Sequence, residues 1–121
     1  MSWNISFHDD FDPEFDEFTQ DVRDNLLAAV RAVQMAGPKA GRPHVDTLKG
    51  SKHANMKELR FTAHDGTQVW RVAFAFDPRR NGIVLVGGDK QGKDEKRFYK
   101  ALIKVADARF DAHLKAIKAK K

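Results

Sequence analysis

Along the chain the spacing of apolar residues switches between two rhythms. Trp3, Ile5 and Phe7 alternate with Asn4, Ser6 and His8, which predicts a short strand. Asp9-Asp10-Phe11-Asp12-Pro13 ends it, with Asp12 suited to cap a helix and Pro13 to its first position. Phe15, Phe18, Val22, Leu26, Val30 and Val33 then recur at three- and four-residue steps. They predict one amphipathic helix of about 22 residues, stopped at Gly37-Pro38. From Gly37 to Asn55 turn residues dominate, and a loop this long in a compact domain is often functional. Whether Val45–Leu48 holds a short helix or a strand stays open.

Three strands follow, over Met56–Thr62, Val69–Phe76 and Ile83–Val86, joined by turns at His64-Asp65-Gly66-Thr67 and Asp77–Gly82. A second amphipathic helix begins near Asp94. Tyr99, Leu102, Ile103, Ala106, Phe110, Leu114 and Ile117 form its apolar face, and Lys96, Lys100, Lys104, Lys115 and Lys118 its polar one. Lys118–Lys121 is expected to fray. This order predicts a single α+β domain over residues 1–121, with a small antiparallel meander sheet packed against an N-terminal and a C-terminal helix.

Composition narrows the chemistry. The 121 residues include no cysteine, which excludes disulfides, thiolate metal sites and a cysteine nucleophile. No apolar run approaches the ~20 residues of a membrane helix, and no signal-peptide pattern is visible, so a cytoplasmic protein is expected. The net charge of +5 is unevenly spread: residues 1–24 carry −7, residues 25–88 carry +6 and residues 89–121 carry +6. A basic body behind an acidic first segment suits a polyanion such as nucleic acid, and ordinary solubility charge suits it equally.

The Asp65-Gly66 turn sets a register in which Phe61 faces Trp70, Leu59 faces Val72 and Arg60 faces Arg71. Two guanidiniums side by side repel, and their forks match phosphate geometry. Either they hold an anion, or Glu58 neutralises one of them and the pair is merely exposed. If they only repel, Arg71→Ala is expected to leave stability intact. Gly87-Gly88-Asp89-Lys90-Gln91-Gly92-Lys93 leads into the second helix without Walker spacing, as a plain connection or as a place where backbone approaches a ligand. The five histidines form no metal-spaced cluster, and neither a metal nor a cofactor is expected. His64, in the hairpin turn, is a turn residue or a group titrating near the arginines. The Phe15/Phe18 and Phe98/Tyr99/Phe110 stripes read as core, except that the Tyr99 hydroxyl can reach the surface.

Taken together, His44–Ser51, Lys57-Glu58-Leu59-Arg60-Phe61, Trp70-Arg71-Val72-Ala73-Phe74 and Gly88-Asp89-Lys90 resemble the RelE/ParE superfamily of type II toxins, in particular its HigB-like branch. The likeness runs from about Phe11 to Leu114, and its most specific element is the Glu-Leu-Arg strand followed by the aromatic-Arg-Val strand. It implies a small α+β toxin sequestered by an antitoxin, the latter expected to be a helix-turn-helix protein. Most RelE-like members cut mRNA on the ribosome without a metal, whereas ParE-like members poison DNA gyrase. The resemblance carries a basic sheet site onto Arg60 and Arg71, with Lys49, Lys52 and Lys90 as weaker matches. Val86–Lys90 departs from the usual strand ending of the family, so the acid and base are not carried over.

Cleavage by a 2′-hydroxyl requires a base, cations on the phosphate and an acid for the leaving oxygen. Arg60 and Arg71 suit the cationic role. Lys90 is the first candidate base, on the premise that neighbouring cations lower its pKa, and His64 is the second. Tyr99 and Lys93 are candidate acids. Lys49, Lys52, Lys57, Lys93 and Lys96 are candidate contacts to the RNA backbone. The competing class is a non-catalytic binder, either a gyrase inhibitor or an RNA-binding module.

Overall fold

The computed structural model describes residues 2–119. Its elements are β1 (Ile5–Phe7), α1 (Phe11–Asp16), α2 (Gln20–Ala36), a single 3-10 turn (Gly37–Lys39), β2 (Val45–Thr47), β3 (Lys57–Ala63), β4 (Gln68–Phe76), β5 (Gly82–Asp89) and α3 (Glu95–Ala119). One five-stranded sheet runs in the order β1-β5-β4-β3-β2. Its pairs are antiparallel except β1 with β5, which are parallel. The expected meander is therefore its centre, flanked by the expected N-terminal strand β1 on one edge and, on the other, by β2, where the periodicity leaves helix or strand open.

The single N-terminal helix of the sequence reading is two helices. Thr19 adopts an extended conformation (φ −64°, ψ 159°) and its Oγ1 accepts from Val22 N, so it caps α2. The apolar spacing hides this break because Phe15 and Phe18 stay in phase across it. Pro13 sits inside the first turn of α1, where its missing N–H leaves nothing unsatisfied. At the far end of α2, Gly37 has φ 65° and lies against the Trp3 indole, where a Cβ would collide.

Strand alternation sorts the side chains onto two faces. Leu59, Ala63, Trp70, Val72 and Phe74 pack with Val22, Leu26, Val30 and Val33 of α2, joined by Phe11. Met56, Ala73, Ala75 and Leu85 pack with Leu102, Ala106 and Phe110 of α3. The β3–β4 register is the expected one: Arg60 faces Arg71, Phe61 faces Trp70 and Leu59 faces Val72. Asp65 (φ 55°) and Gly66 (φ 83°) make the turn, closed by Thr67 N donating to His64 O.

The long segment before β3 is stitched to α3 rather than left loose. Asp107 accepts from Ser51 Oγ at 2.5 Å and from Lys52 N at 3.1 Å. Asp111 pairs with His53 Nε2 at 2.8 Å and with the Lys52 ammonium. The Lys52 hydrogen bond, followed by that of His53, holds the Asp111 carboxyl below its ordinary range. A carboxyl depressed on folding adds stability above its unfolded pKa, about 3.9, and loses it as pH falls through the lower folded value. Asp111→Asn is thus expected to lower Tm at neutral pH and to flatten its decline below about pH 4. Thermal melts of both chains across that range check it.

Lys118 and Ala119 lie within α3, where fraying was expected from residue 118, and Lys120 and Lys121 lie outside the described residues. Among the described residues no helix is long and apolar enough to cross a membrane.

Candidate functional site

The site forms where the first turns of α3 cross the sheet. On this face, Asp46 of β2 stands opposite Glu58 of β3, and Arg60 of β3 opposite Arg71 of β4. Like charges face one another along each pair, but each guanidinium has a carboxylate one diagonal step away. The expected repulsion is answered in this way. Arg71 Nε lies 3.9 Å from Glu58 Oε1. The Thr47 backbone N–H, then Arg42 and more weakly Arg60, hold the Asp46 carboxyl below its ordinary range.

Arg71 and Glu58 are each only 7% exposed. Arg71 Nη1 donates to Trp70 O at 2.9 Å and Nε to the Tyr99 hydroxyl at 3.2 Å. Tyr99 in turn donates to Glu58 Oε1 at 2.8 Å. Burial, and then the Glu58 carboxylate, push the Tyr99 hydroxyl above its ordinary pKa. The pair is therefore not an exposed patch. Arg71 is built into the sheet under Tyr99, while Arg60 is half-buried. Arg71 is thus Glu58's buried counter-ion, and its removal is now expected to cost stability rather than leave it intact.

Lys90 reaches over the same place. Its Nζ is 6.0 Å from the Tyr99 ring centre and 2.7 Å from Glu95 Oε1. The Lys90 hydrogen bond and charge hold Glu95 below the ordinary carboxylate range, with Arg71 and Arg60 adding at longer distance. Lys90 therefore meets a carboxylate at short range, whereas a role as base calls for crowding by cations. Beside it opens a groove of about 610 Å³, with Arg42, Asp46, Lys49, Glu58, Lys96 and Tyr99 among its walls.

The remaining candidates lie elsewhere. His64 Nε2 contacts Thr19 Oγ1 at 2.8 Å and its backbone N–H donates to Asp21 at 2.6 Å, so it serves the start of α2. Lys52 pairs with Asp111. Lys57 alternates onto the α2 face, away from Arg60. Lys93, 5.9 Å from the Phe98 ring centre, lines a separate apolar groove of about 540 Å³ on the β5 flank of α3. Gly87 and Gly88 belong to β5 and not to a loop. A Cβ at Gly87 would press on Val72, and one at Gly88 on Phe98, so these glycines admit protein neighbours. Among the described residues, no group of three or more His, Asp or Glu is placed to hold a metal.

The family described as "Phage derived protein Gp49-like (DUF891)" matches residues 13–111. Two proteins of Mycobacterium tuberculosis are similar over most of this chain. "Putative toxin HigB3" is 43% identical over 95 residues, 78% of this chain and 79% of that protein. "Putative toxin HigB2" is 44% identical over 89 residues, 74% of this chain and 43% of that protein. The chain belongs to the Gp49-like, HigB-type toxin family. It spans less than half of HigB2. The E. coli toxin RelE, in the free state and as a double arginine-to-alanine mutant, superposes with a TM-score of 0.60 at 14% identity, over 85% of this chain and 95% of that one. The fold of this HigB-type chain is thus the RelE fold.

Two contacts of the site escaped the sequence reading. Glu58 was visible only as a neutraliser of arginine, because its contact with Tyr99 spans 41 residues. Asp46 with Arg42 was hidden because β2 has three residues and no alternation to announce it. The Asp46–Glu58 pairing follows only once β2 is placed.

Proposed function

We propose that this HigB-type chain is the toxin of a type II toxin–antitoxin pair and that it cuts ribosome-bound mRNA. The observation carrying the proposal is the facing Arg60 and Arg71, with Tyr99 on Arg71, in a chain 43% identical to HigB3. The attacking group is the 2′-hydroxyl next to the scissile phosphate. Arg60 and Arg71 supply the positive charge that the pentavalent phosphorus demands, which makes a metal dispensable. Arg71 Nη2 makes no hydrogen bond among the described residues, leaving it for a phosphate oxygen. The Lys90 ammonium, oriented by Glu95, is the donor to the leaving 5′-oxygen. Lys49 and Lys96 hold the RNA backbone along the groove. The partner that silences the toxin is a cognate antitoxin of the helix-turn-helix type, and the place of action is the cytoplasm, where mRNA is translated.

Induction of the intact chain without antitoxin is expected to arrest growth, with mRNA cut at defined positions inside ribosome-bound codons. Mapping mRNA 5′ ends after induction checks this. Full soluble expression with normal growth would overturn the proposal. So would intact mRNA with accumulated gyrase–DNA complexes, which would assign the chain to the gyrase-poisoning class.

A further inference from the structure

Within the nuclease reading, on which this inference rests, the base that takes the 2′-hydroxyl proton has no owner. Lys90 is paired as an ammonium with Glu95, and His64 is tied to the start of α2. Three carboxylates line the groove: Asp46 is held by the Thr47 N–H and Arg42, and Glu95 by Lys90, which leaves Glu58. Among the described residues the Glu58 carboxylate has a single close donor, the Tyr99 hydroxyl at 2.8 Å, while Arg71 Nε stays 3.9 Å away. Its side chain is only 9% exposed, and Tyr99 shares the groove wall with it. The Tyr99 hydroxyl already points its proton at Glu58, and its oxygen already accepts from Arg71, a phosphate-binding group.

We infer that Glu58 is the terminal proton acceptor of the cleavage and is reached through Tyr99. The 2′-hydroxyl proton moves to the Tyr99 oxygen as the Tyr99 proton moves to Glu58. The 2′-oxygen bonds to phosphorus, the bond from phosphorus to the 5′-oxygen breaks, and that oxygen takes a proton from Lys90. The products are a 2′,3′-cyclic phosphate and a 5′-hydroxyl end, with Glu58 neutral and Lys90 an amine. Exchange with water resets both. Tyr99 touches the substrate; Glu58 works behind it and also keeps Arg71 in place.

Several charged groups face this carboxylate. Asp46 stands opposite on β2, Arg60 follows on its own strand and Arg71 lies across on β4. Tyr99, Glu95 and Lys96 come from α3, and Arg42 and Lys49 from the preceding segment. Among the described residues no other carboxylate receives the Tyr99 proton, and this is the geometric basis for choosing Glu58.

The test is single-turnover and steady-state cleavage of ribosome-bound mRNA by the intact chain, measured across pH. Glu58→Gln keeps the shape and removes the base. It is expected to lower kcat by about 10²-fold or more with KM little changed, and to abolish the fall in rate on the acid side. Glu58→Asp is expected to restore part of the rate and the acid-side fall. Tyr99→Phe is expected to lose as much as Glu58→Gln, and the double variant no more than either single. Glu58→Gln cutting at the wild-type rate would overturn the inference. A slowed Glu58→Gln that keeps the wild-type pH profile would also overturn it, because a counter-ion to Arg71 predicts that result. If Glu58→Gln folds poorly, Tyr99→Phe decides, since it leaves Glu58 beside Arg71, and a wild-type rate there overturns the relay. A wild-type chain that leaves mRNA intact would instead overturn the nuclease reading, before any variant is compared.

Discussion

Arg71→Ala is expected to damage both activity and fold. Under the proposed nuclease function, losing one preorganised donor to the transition-state phosphate is expected to lower the rate by about 10²–10³. The same change leaves the Glu58 carboxylate buried without its guanidinium. Removing one partner of a buried pair generally costs about 3–5 kcal/mol. Here Tyr99 still donates to Glu58 and the pair is 3.9 Å apart, so about 2 kcal/mol is expected. At roughly 4 °C per kcal/mol, Tm should drop by about 8 °C. Arg71→Lys should recover part of each loss, since an ammonium keeps the charge without the fork. Arg71→Ala with Glu58→Gln should be more stable than Arg71→Ala alone, because the orphaned charge is gone. Thermal melts read the stability and mRNA cleavage reads the rate. An Arg71→Ala chain as stable as wild type would show that facing guanidiniums outweigh the Glu58 pair.

The second large effect lies far from the groove. Asp77 opens the β4–β5 turn with a side chain only 1% exposed. Its Oδ1 accepts from the backbone N–H of Arg79 at 2.9 Å and of Asn81 at 3.0 Å. Its Oδ2 meets His113 Nε2 of α3 at 2.8 Å. One carboxylate thus shapes the turn and pins α3 to it. Asp77→Ala empties all three contacts in a buried place, and about 3 kcal/mol is expected. Asp77→Asn keeps one acceptor oxygen and should lose about half as much. Calorimetry or denaturant unfolding distinguishes the two. Equal stability of wild type and Asp77→Ala would show that the turn holds through its backbone alone.

Asp77 also shows how far the sequence could be read. That an Asp-Pro opens a turn was plain from local chemistry. That His113 closes over it depends on where α3 crosses the sheet, 36 residues later. The β3–β4 register was legible because a two-residue turn and two apolar pairs all demand the same partner sums, so Arg60 against Arg71 followed by arithmetic. What that pairing meant was not legible. Burial of Arg71 depends on α3 laying Tyr99 over it, and no periodicity within β4 reports that. The parallel pairing of β1 with β5 was hidden for the same reason: three residues match Gly82–Val84 with no connecting pattern between them. The break at Thr19 was present in the sequence, and the unbroken apolar rhythm of Phe15, Phe18 and Val22 masked it.

The helix that lays Tyr99 over the arginines follows every strand of the sheet in chain order. Arg60 and Arg71 therefore leave the ribosome before it, on strands that can already pack against α2. Tyr99, Lys96 and Glu95 arrive only with α3. A nascent chain halted before that helix holds both guanidiniums without Tyr99 on Arg71, and with Ala73, Ala75 and Leu85 uncovered. A message severed upstream of the α3 codons thus yields a fragment that is poorly packed and has no finished site. Under the proposed nuclease function, a cut in its own transcript upstream of those codons would leave behind only such a fragment.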